Sequence, residues 1–256
     1  MESIKLTILG SGTSTGVPQI GCTCDVCTSR DPHDRRLRAS ALLETASTRI
    51  LLDCGPDFRA QMMSFARFAP LDAVLLTHEH YDHVGGLDDL RPFCKFSPVA
   101  IYGDERTVRS VRNHMPYCFG NRYPGAPQLT LHTVRPMEPF LVDDLEVLPL
   151  EVHHGKLPIL GYRIAGRMAY LTDMLTMPEE NYPLLEGLDV LVLNALRYQS
   201  HPSHQSISEA LKVAERIGAR RTYFTHFCHH AGLNADMERD FPPGVRPCWD
   251  GLVIDL

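Results

Sequence analysis

The chain has 256 residues, 44% hydrophobic and 22% charged, with a formal net charge of -6. That is enough apolar material for one large α/β domain spanning 1–256 and cramped for two, and the acidic balance argues against a general nucleic-acid or membrane-surface binder. With no export-type apolar segment after Met1 and eight cysteines that a chain of this size does not need as disulfides, the expectation is a cytoplasmic protein with free or metal-bound thiols.

In chain order, the first strand is expected at 4–9, followed by the glycine-rich turn Gly10-Ser11-Gly12-Thr13-Ser14. Next comes Cys22-Thr23-Cys24-Asp25-Val26-Cys27, three thiols within six residues behind Gly21. A disulfide among them would be strained, whereas thiolates at this spacing wrap around one tetrahedral zinc. The fourth ligand must come from elsewhere, and Cys228 and His229 are both candidates; a redox-active pair or unliganded loop thiols are the plainer readings. Such a closed site would be structural.

Strands follow at 41–43 and 50–52, then a helix at 57–68 and a strand at 73–76. Directly behind that strand stands Thr77-His78-Glu79-His80-Tyr81-Asp82-His83, with Gly85 and Gly86 after it. His78 and His80 share a face by two-residue alternation and can chelate one cation. Asp82 and His83 come after the strand has ended and can reach a second cation beside the first. A solvated histidine-rich turn is the bland alternative.

Further strands are expected at 100–102, 145–152, 169–171, 190–193 and 222–225, with helices at 105–114 and 206–217. The last helix has a capping box in Ser206 and Glu209 and a stop at Gly218. The loop-like stretch 121–128 could overhang a site. Strands mixed with helices fit a sheet sandwich covered by helices. His154 shares parity with Leu148, Leu150 and Val152 and is preferred over His153. Asp173 ends the strand at 169–171, where it could bridge two cations or merely cap a helix over 174–180; His226 ends the strand at 222–225.

His-x-His-x-Asp-His behind an apolar strand resembles the signature of the metallo-β-lactamase superfamily, which implies an αββα four-layer sandwich. The Cys-x-Cys-x-x-Cys loop after the first strand, with Leu52-Asp53-Cys54-Gly55, His154-Gly155-Lys156-Leu157, Leu171-Thr172-Asp173, His201-Pro202-Ser203-His204 and Thr225-His226-Phe227-Cys228-His229, is similar to the PhnP-type phosphodiesterases, of which one acts on phosphoribosyl 1,2-cyclic phosphate. The resemblance implies two divalent ions, Zn or Mn, with His78, His80 and His154 on one, Asp82, His83 and His226 on the other, and Asp173 bridging. It also implies a structural zinc on Cys22, Cys24, Cys27 and His229, support of a ligating histidine by Asp53, and a homodimer.

Two cations about 3.5 to 4 Å apart would turn a bridging water into hydroxide, the nucleophile for a small cyclic or diester phosphate. Asp82 and His204 are the candidate catalytic residues beside the metals. His204, just before the helix at 206–217, would bond or protonate the leaving oxygen, with the helix N-terminus favouring phosphate. Lys156 and the run Arg35-Arg36-Leu37-Arg38 could hold a terminal phosphate, though surface solvation serves as well. His33, His114, His132, His153, His201 and His230 have no comparable context, and Cys54, Cys94, Cys118 and Cys248 read as ordinary thiols. The alternatives are a thioesterase of the glyoxalase II kind, a tRNA 3′-processing nuclease (disfavoured by the charge), a lactamase (disfavoured without export) and a non-catalytic metal-binding regulator.

Overall fold

The computed structural model describes residues 3–119 and 123–256; part of the expected overhanging stretch, residues 121 and 122, therefore lies outside the described residues. The strands in chain order are β1 (Lys5–Gly10), β2 (Ser40–Glu44), β3 (Arg49–Leu52), β4 (Ala73–Leu75), β5 (Val99–Gly103), β6 (Leu129–Thr133), β7 (Phe140–Val142), β8 (Leu145–His154), β9 (Leu157–Ile164), β10 (Met168–Leu171), β11 (Val190–Asn194), β12 (Arg221–Thr225), β13 (Val245–Pro247) and β14 (Val253–Asp255). The helices are α1 (Asp25–Thr28), α2 (Phe58–Phe65), α3 (Tyr81–Val84), α4 (Glu105–His114), α5 (Ile207–Ile217) and α6 (Asn234–Asp240).

Two sheets result, in the orders β14-β1-β2-β3-β4-β5-β6 and β13-β12-β11-β10-β9-β8-β7. In each, an antiparallel half passes into a parallel half: β3, β4, β5 and β6 run parallel in one sheet, and β10, β11, β12 and β13 in the other. Parallel strands are covered on both faces, which is why β3, β4, β10 and β11 are buried throughout. The inner faces meet over Leu6, Leu43, Leu52, Leu75, Tyr162 and Tyr170. Outside the first sheet, Phe58 and Met62 of α2 and Val111 of α4 join its outer face; outside the second, Ile207, Ala210, Ala214 and Ile217 of α5 do the same. The order is helix, sheet, sheet, helix, as the resemblance implied.

The two sheets are tied at the end that matters. The Tyr162 hydroxyl donates to the Leu76 carbonyl at 2.6 Å, and the Leu160 amide to the Thr77 carbonyl at 2.9 Å. The second sheet thus holds the backbone that enters the histidine motif. α5 starts on the expected capping box and ends at Gly218, whose left-handed φ of 66° favours glycine.

Departures have local causes. α2 stops at Phe65, short of 68, because the buried Arg49 guanidinium draws the carbonyls of Arg67, Ala69 and Pro70 out of any helix. β9 escapes the sequence pattern because Pro158 and Gly161 read as punctuation, yet it pairs with β8 along its whole length across a turn at Gly155. β6, β7, β13 and β14 are short or edge strands with weak periodicity. No described helix is long and apolar enough to cross a membrane.

Candidate metal centre

The carboxyl ends of the parallel strands from both sheets converge on one site. Asp53 follows β3, Asp173 follows the residue after β10, and His226 follows β12, and all three take left-handed backbone, with φ of 58°, 58° and 62°. Such conformations are costly outside glycine and persist where the surroundings fix them. Each kink turns a side chain from the strand direction into the site. No helix starts at Asp173, the next being a 3-10 turn at Glu179–Asn181 that begins behind Pro178, and the Asp173 side chain accepts from Thr172 Oγ1 at 2.8 Å rather than from a first-turn amide, which leaves the capping alternative without its hydrogen bond.

Hydrogen bonds fix which nitrogen each histidine presents. His83 Nδ1 donates to Asp53 Oδ2 at 2.8 Å; the Thr77 amide and hydroxyl also donate to Asp53, and His78 Nδ1 lies 3.0 Å from that hydroxyl. One buried carboxylate therefore orients both His78 and His83, leaving each Nε2 free. His154 Nδ1 donates to the carbonyls of Asp173 and Ser203 at 2.9 and 3.0 Å, which likewise frees Nε2. His153 instead lies 3.2 Å from Glu151 and pairs its backbone with Thr176, whereas the His154 ring lies beside those of His78 and His80. Gly55 and Gly86 matter here because a Cβ on Gly55 would strike the Asp82 carbonyl and one on Gly86 the Gly55 carbonyl.

Two sets of donors form around Asp173. One oxygen of its carboxylate is 3.2 Å from His83 Nε2, and the other is 3.2 Å from His226 Nε2 and 3.7 Å from His204 Nδ1. The donor atoms of Asp82, His83, Asp173 and His226 lie within 4.8 Å of one another, as do those of His154, Asp173 and His204. The rings of His78, His80 and His154 gather beside them, with centroids 4.5, 5.2 and 5.7 Å apart. His204 thus stands closer to the ligand set than its expected role required. Glu79, the remaining acid of the motif, is engaged at 2.7 Å by Arg106.

The electrostatics suit cations. Burial pushes the His78 imidazole well below the histidine range, and His80 also shifts down. Burial opposes charge on Asp173, but His226 and His83 outweigh it and hold the carboxyl well below the usual range; Asp82 is held low by His83 and His226 in the same way. At His83 burial is again outweighed, by Asp173, Asp53 and Asp82, which raise its imidazole well above the ordinary value. Nε2 of His78, His83 and His226 is buried with no hydrogen-bond partner among the described residues. Ionised carboxylates, neutral imidazoles at His78 and His80, and at His83 a surplus of negative charge that favours a cation of either kind, a proton or a metal ion, are what a divalent metal site presents, so these residues fit the implied ions.

The thiol loop is built separately. Cys24 precedes the one-turn helix α1 and Cys27 lies within it, while His229 comes from the segment after β12. His229 Nδ1 lies 3.2 Å from Cys22 Sγ and 3.4 Å from Cys24 Sγ, and all four donors lie within 4.8 Å of one another. Tetrahedral zinc with bonds of about 2.3 Å to sulfur and about 2.0 Å to nitrogen gives S···N edges near 3.5 Å, so the set fits zinc. The Cys27 amide, then His229, draws the Cys24 thiol down to about 6, while burial drives Cys27 up to about 11. Cys228 does not join the cluster.

Sequence reasoning missed two polar residues. Asn194, at the end of β11, exchanges hydrogen bonds with both backbone groups of Met174 at 2.7 and 2.9 Å and so pins the turn bearing Asp173; a buried polar residue closing the run Val190–Leu193 was its signal. Arg197 lines a hollow with His204 and left no local signal. Of the expected phosphate-binding arginines, Arg36 is buried, donating to Ser11, the Cys248 carbonyl and Asn234, and Arg38 pairs with Asp57. The α5 N-terminus is met by the chain's own Glu209, whose carboxylate accepts from the Ser206 amide at 2.8 Å.

Residues 48–227 match the family model for the beta-lactamase superfamily domain. A crystal structure described as a new diphosphatase from the PhnP family superposes with a TM-score of 0.92 at 39% identity, covering 100% of this chain and 98% of that one. Zn(2+)-bound PqqB from Methylobacterium extorquens shares the fold at a TM-score of 0.82 and 21% identity, over 98% of this chain and 100% of that one. A Porphyromonas gingivalis protein named octanoyltransferase is 49% identical over 98% of this chain but only 52% of its own length. The chain thus spans about half the length of that curated relative.

Proposed function

The chain belongs to the beta-lactamase superfamily, and from that premise we propose that it is a metal-dependent hydrolase of a small cyclic or diester phosphate, with phosphoribosyl 1,2-cyclic phosphate as one candidate. The observation that carries the reading is Asp173, whose carboxylate belongs to two donor groups, lying within 4.8 Å of the donor atoms of Asp82, His83 and His226 on one side and of His154 and His204 on the other. The likeness to a PhnP-family diphosphatase at 39% identity supports phosphoester chemistry.

In this reading His78, His80 and His154 hold one divalent ion and Asp82, His83 and His226 the other, with Asp173 shared; zinc and manganese both suit the donors. When bound, the ions supply Lewis acidity toward phosphate oxygens and an acidified water. The chain's own residues do the rest. Asp53 fixes the orientation of His78 and His83, Asn194 fixes the Asp173 turn, and Asp82 adds negative charge that offsets the cations. Burial, with His226, holds the His204 imidazole down to about 3. His204 is then neutral at ordinary pH and acts by donating a hydrogen bond from Nδ1 to the leaving oxygen. Cys22, Cys24, Cys27 and His229 hold a structural zinc that fastens the first loop to the segment bearing His226.

Thioester hydrolysis is the second reading. A hollow of about 490 Å³ beside His80, lined by Tyr81, Val84, Leu87, Val111 and Met115, has room for an acyl chain, and one relative is named for octanoyl transfer. The test is a hydrolysis panel of cyclic phosphates, linear diesters, phosphomonoesters and thioesters with defined added metal. A diester or cyclic phosphate should be turned over best; a thioester turned over faster than every phosphate ester would reverse the order.

A further inference from the structure

The single turn of α3 presents two different surfaces. Asp82 and His83 are buried toward the candidate metal centre, while Tyr81, Val84 and the following Gly85 line the hollow of about 490 Å³ beside it. Residues three and four apart share a helix face, so one turn offers donors to one side and apolar surface to the other. His80 stands between the two: it lines the hollow, and its ring lies 4.5 Å from that of His78 and 5.2 Å from that of His154. A group bound in the hollow is therefore a neighbour of whatever the metal centre holds.

Leu87, Val111 and Met115 extend the apolar lining, and the polar members are engaged inside the chain. Glu79 is held by Arg106 at 2.7 Å, His114 Nδ1 donates to the Ser110 carbonyl at 2.9 Å, and the Tyr117 hydroxyl donates at 2.8 Å to Asp88, which also pairs with Arg91. With these groups satisfied and two carboxylates at the wall, the hollow suits an apolar occupant and repels an anionic one. Two aromatic rings border it, and both are held. Tyr81 lies against the backbone of Gly85, where a Cβ would come within 2.7 Å of Tyr81 Cε2 and 2.8 Å of Cζ, yet the residue is 71% exposed. Tyr117, 39% exposed, is fixed through its hydroxyl by Asp88. Aromatic side chains that are held in place and still exposed are stacking platforms, and a planar ring gains from them an attraction beyond its buried area that an alkyl chain does not.

We propose that this hollow takes an aromatic ring carried by one ester group of the substrate, stacked on Tyr81 with Tyr117 as a second wall, so that the preferred phosphodiesters bear an aryl-substituted alcohol. The proposal rests on the phosphoester reading above; in the thioester reading an acyl chain fills the same space.

The test compares Tyr81→Ala, Tyr81→Phe and Tyr117→Ala with the wild-type holoenzyme on dimethyl phosphate and on the methyl phenethyl, methyl cyclohexylethyl and methyl n-octyl diesters. The three larger groups have equal carbon counts and similar alkoxide leaving groups, so differences among them report the hollow rather than the chemistry. The phenethyl diester should have the highest kcat/KM. The ratio of its kcat/KM to that of dimethyl phosphate should fall about tenfold in Tyr81→Ala, the scale of one lost aromatic contact and its buried area. It should hold in Tyr81→Phe, which keeps the ring, and fall less in Tyr117→Ala. In calorimetry, phenethylphosphonate should bind more tightly than n-octylphosphonate, and Tyr81→Ala should remove that advantage. An unchanged ratio in Tyr81→Ala and Tyr117→Ala, with metal content at the wild-type level, overturns the subsite. The n-octyl diester preferred to the phenethyl one overturns the aromatic occupant in favour of an alkyl chain. A wild-type protein inactive on every phosphate ester, yet binding phenethylphosphonate through Tyr81, overturns the hydrolase reading and leaves the subsite standing.

Discussion

Asp53 and His83 are joined side chain to side chain at 2.8 Å, both fully buried. The bond leaves His83 Nε2 facing the candidate metal centre, and Thr77 passes the same carboxylate's influence to His78. Asp53→Asn keeps the shape and tolerates the left-handed φ of 58°, but loses the charge that sets both rings. Metal affinity measured by titration should drop about 10- to 100-fold with the fold intact. Unchanged affinity would show that packing alone orients the two histidines.

Asp173 touches both donor sets, so Asp173→Ala should abolish turnover and lower the number of metal ions retained per chain. Its φ of 58° makes Asp173→Asn the gentler companion variant. Elemental analysis alongside kinetics separates the causes. A fully metallated Asp173→Ala protein with near-normal turnover would reject the shared-ligand role.

The thiol cluster should hold zinc independently of the histidine centre. A mild chelator is expected to strip the open site and its activity first, leaving one zinc and a folded chain. His229→Ala should weaken retention of that zinc and lower the Tm, because His229 Nδ1 faces Cys22 and Cys24 at 3.2 and 3.4 Å. Cys228→Ser should leave both nearly unchanged; the reverse pattern would hand the fourth position to Cys228.

What could be read in the sequence was local. The His78 to His83 run announces itself because its residues are adjacent and follow a buried strand, and the α5 cap because Ser206 and Glu209 sit one turn apart. His154 was separated from His153 by two-residue alternation alone. Arg197 could not be found that way, since the hollow it lines is walled by segments from opposite ends of the chain. Arg36 misled for the same reason: it stands among basic neighbours in sequence, but Phe227 and Asn234 enclose it in space. The edge strands β6, β7, β13 and β14 are partly exposed and lack the continuous buried apolar run that marks β3 and β4, strands of similar length.

His204 supplies the last test, because its two neighbourhoods predict different kinetics. Its Nδ1 is buried without a partner, 3.7 Å from Asp173 Oδ1, and its imidazole is held down to about 3 by burial and then by His226. A neutral ring can steady a leaving alkoxide by a hydrogen bond but carries no spare proton near neutrality. His204→Ala should therefore slow diesters with poor alkoxide leaving groups by about 10² or more and barely affect activated aryl esters, whose leaving oxygen needs little help. Metal content should stay at the wild-type level. Equal losses on both substrate types would make His204 a phosphate-positioning group, and metal lost along with activity would place it among the ligands beside His154, where its distances to that ring and to Asp173 already allow it to stand.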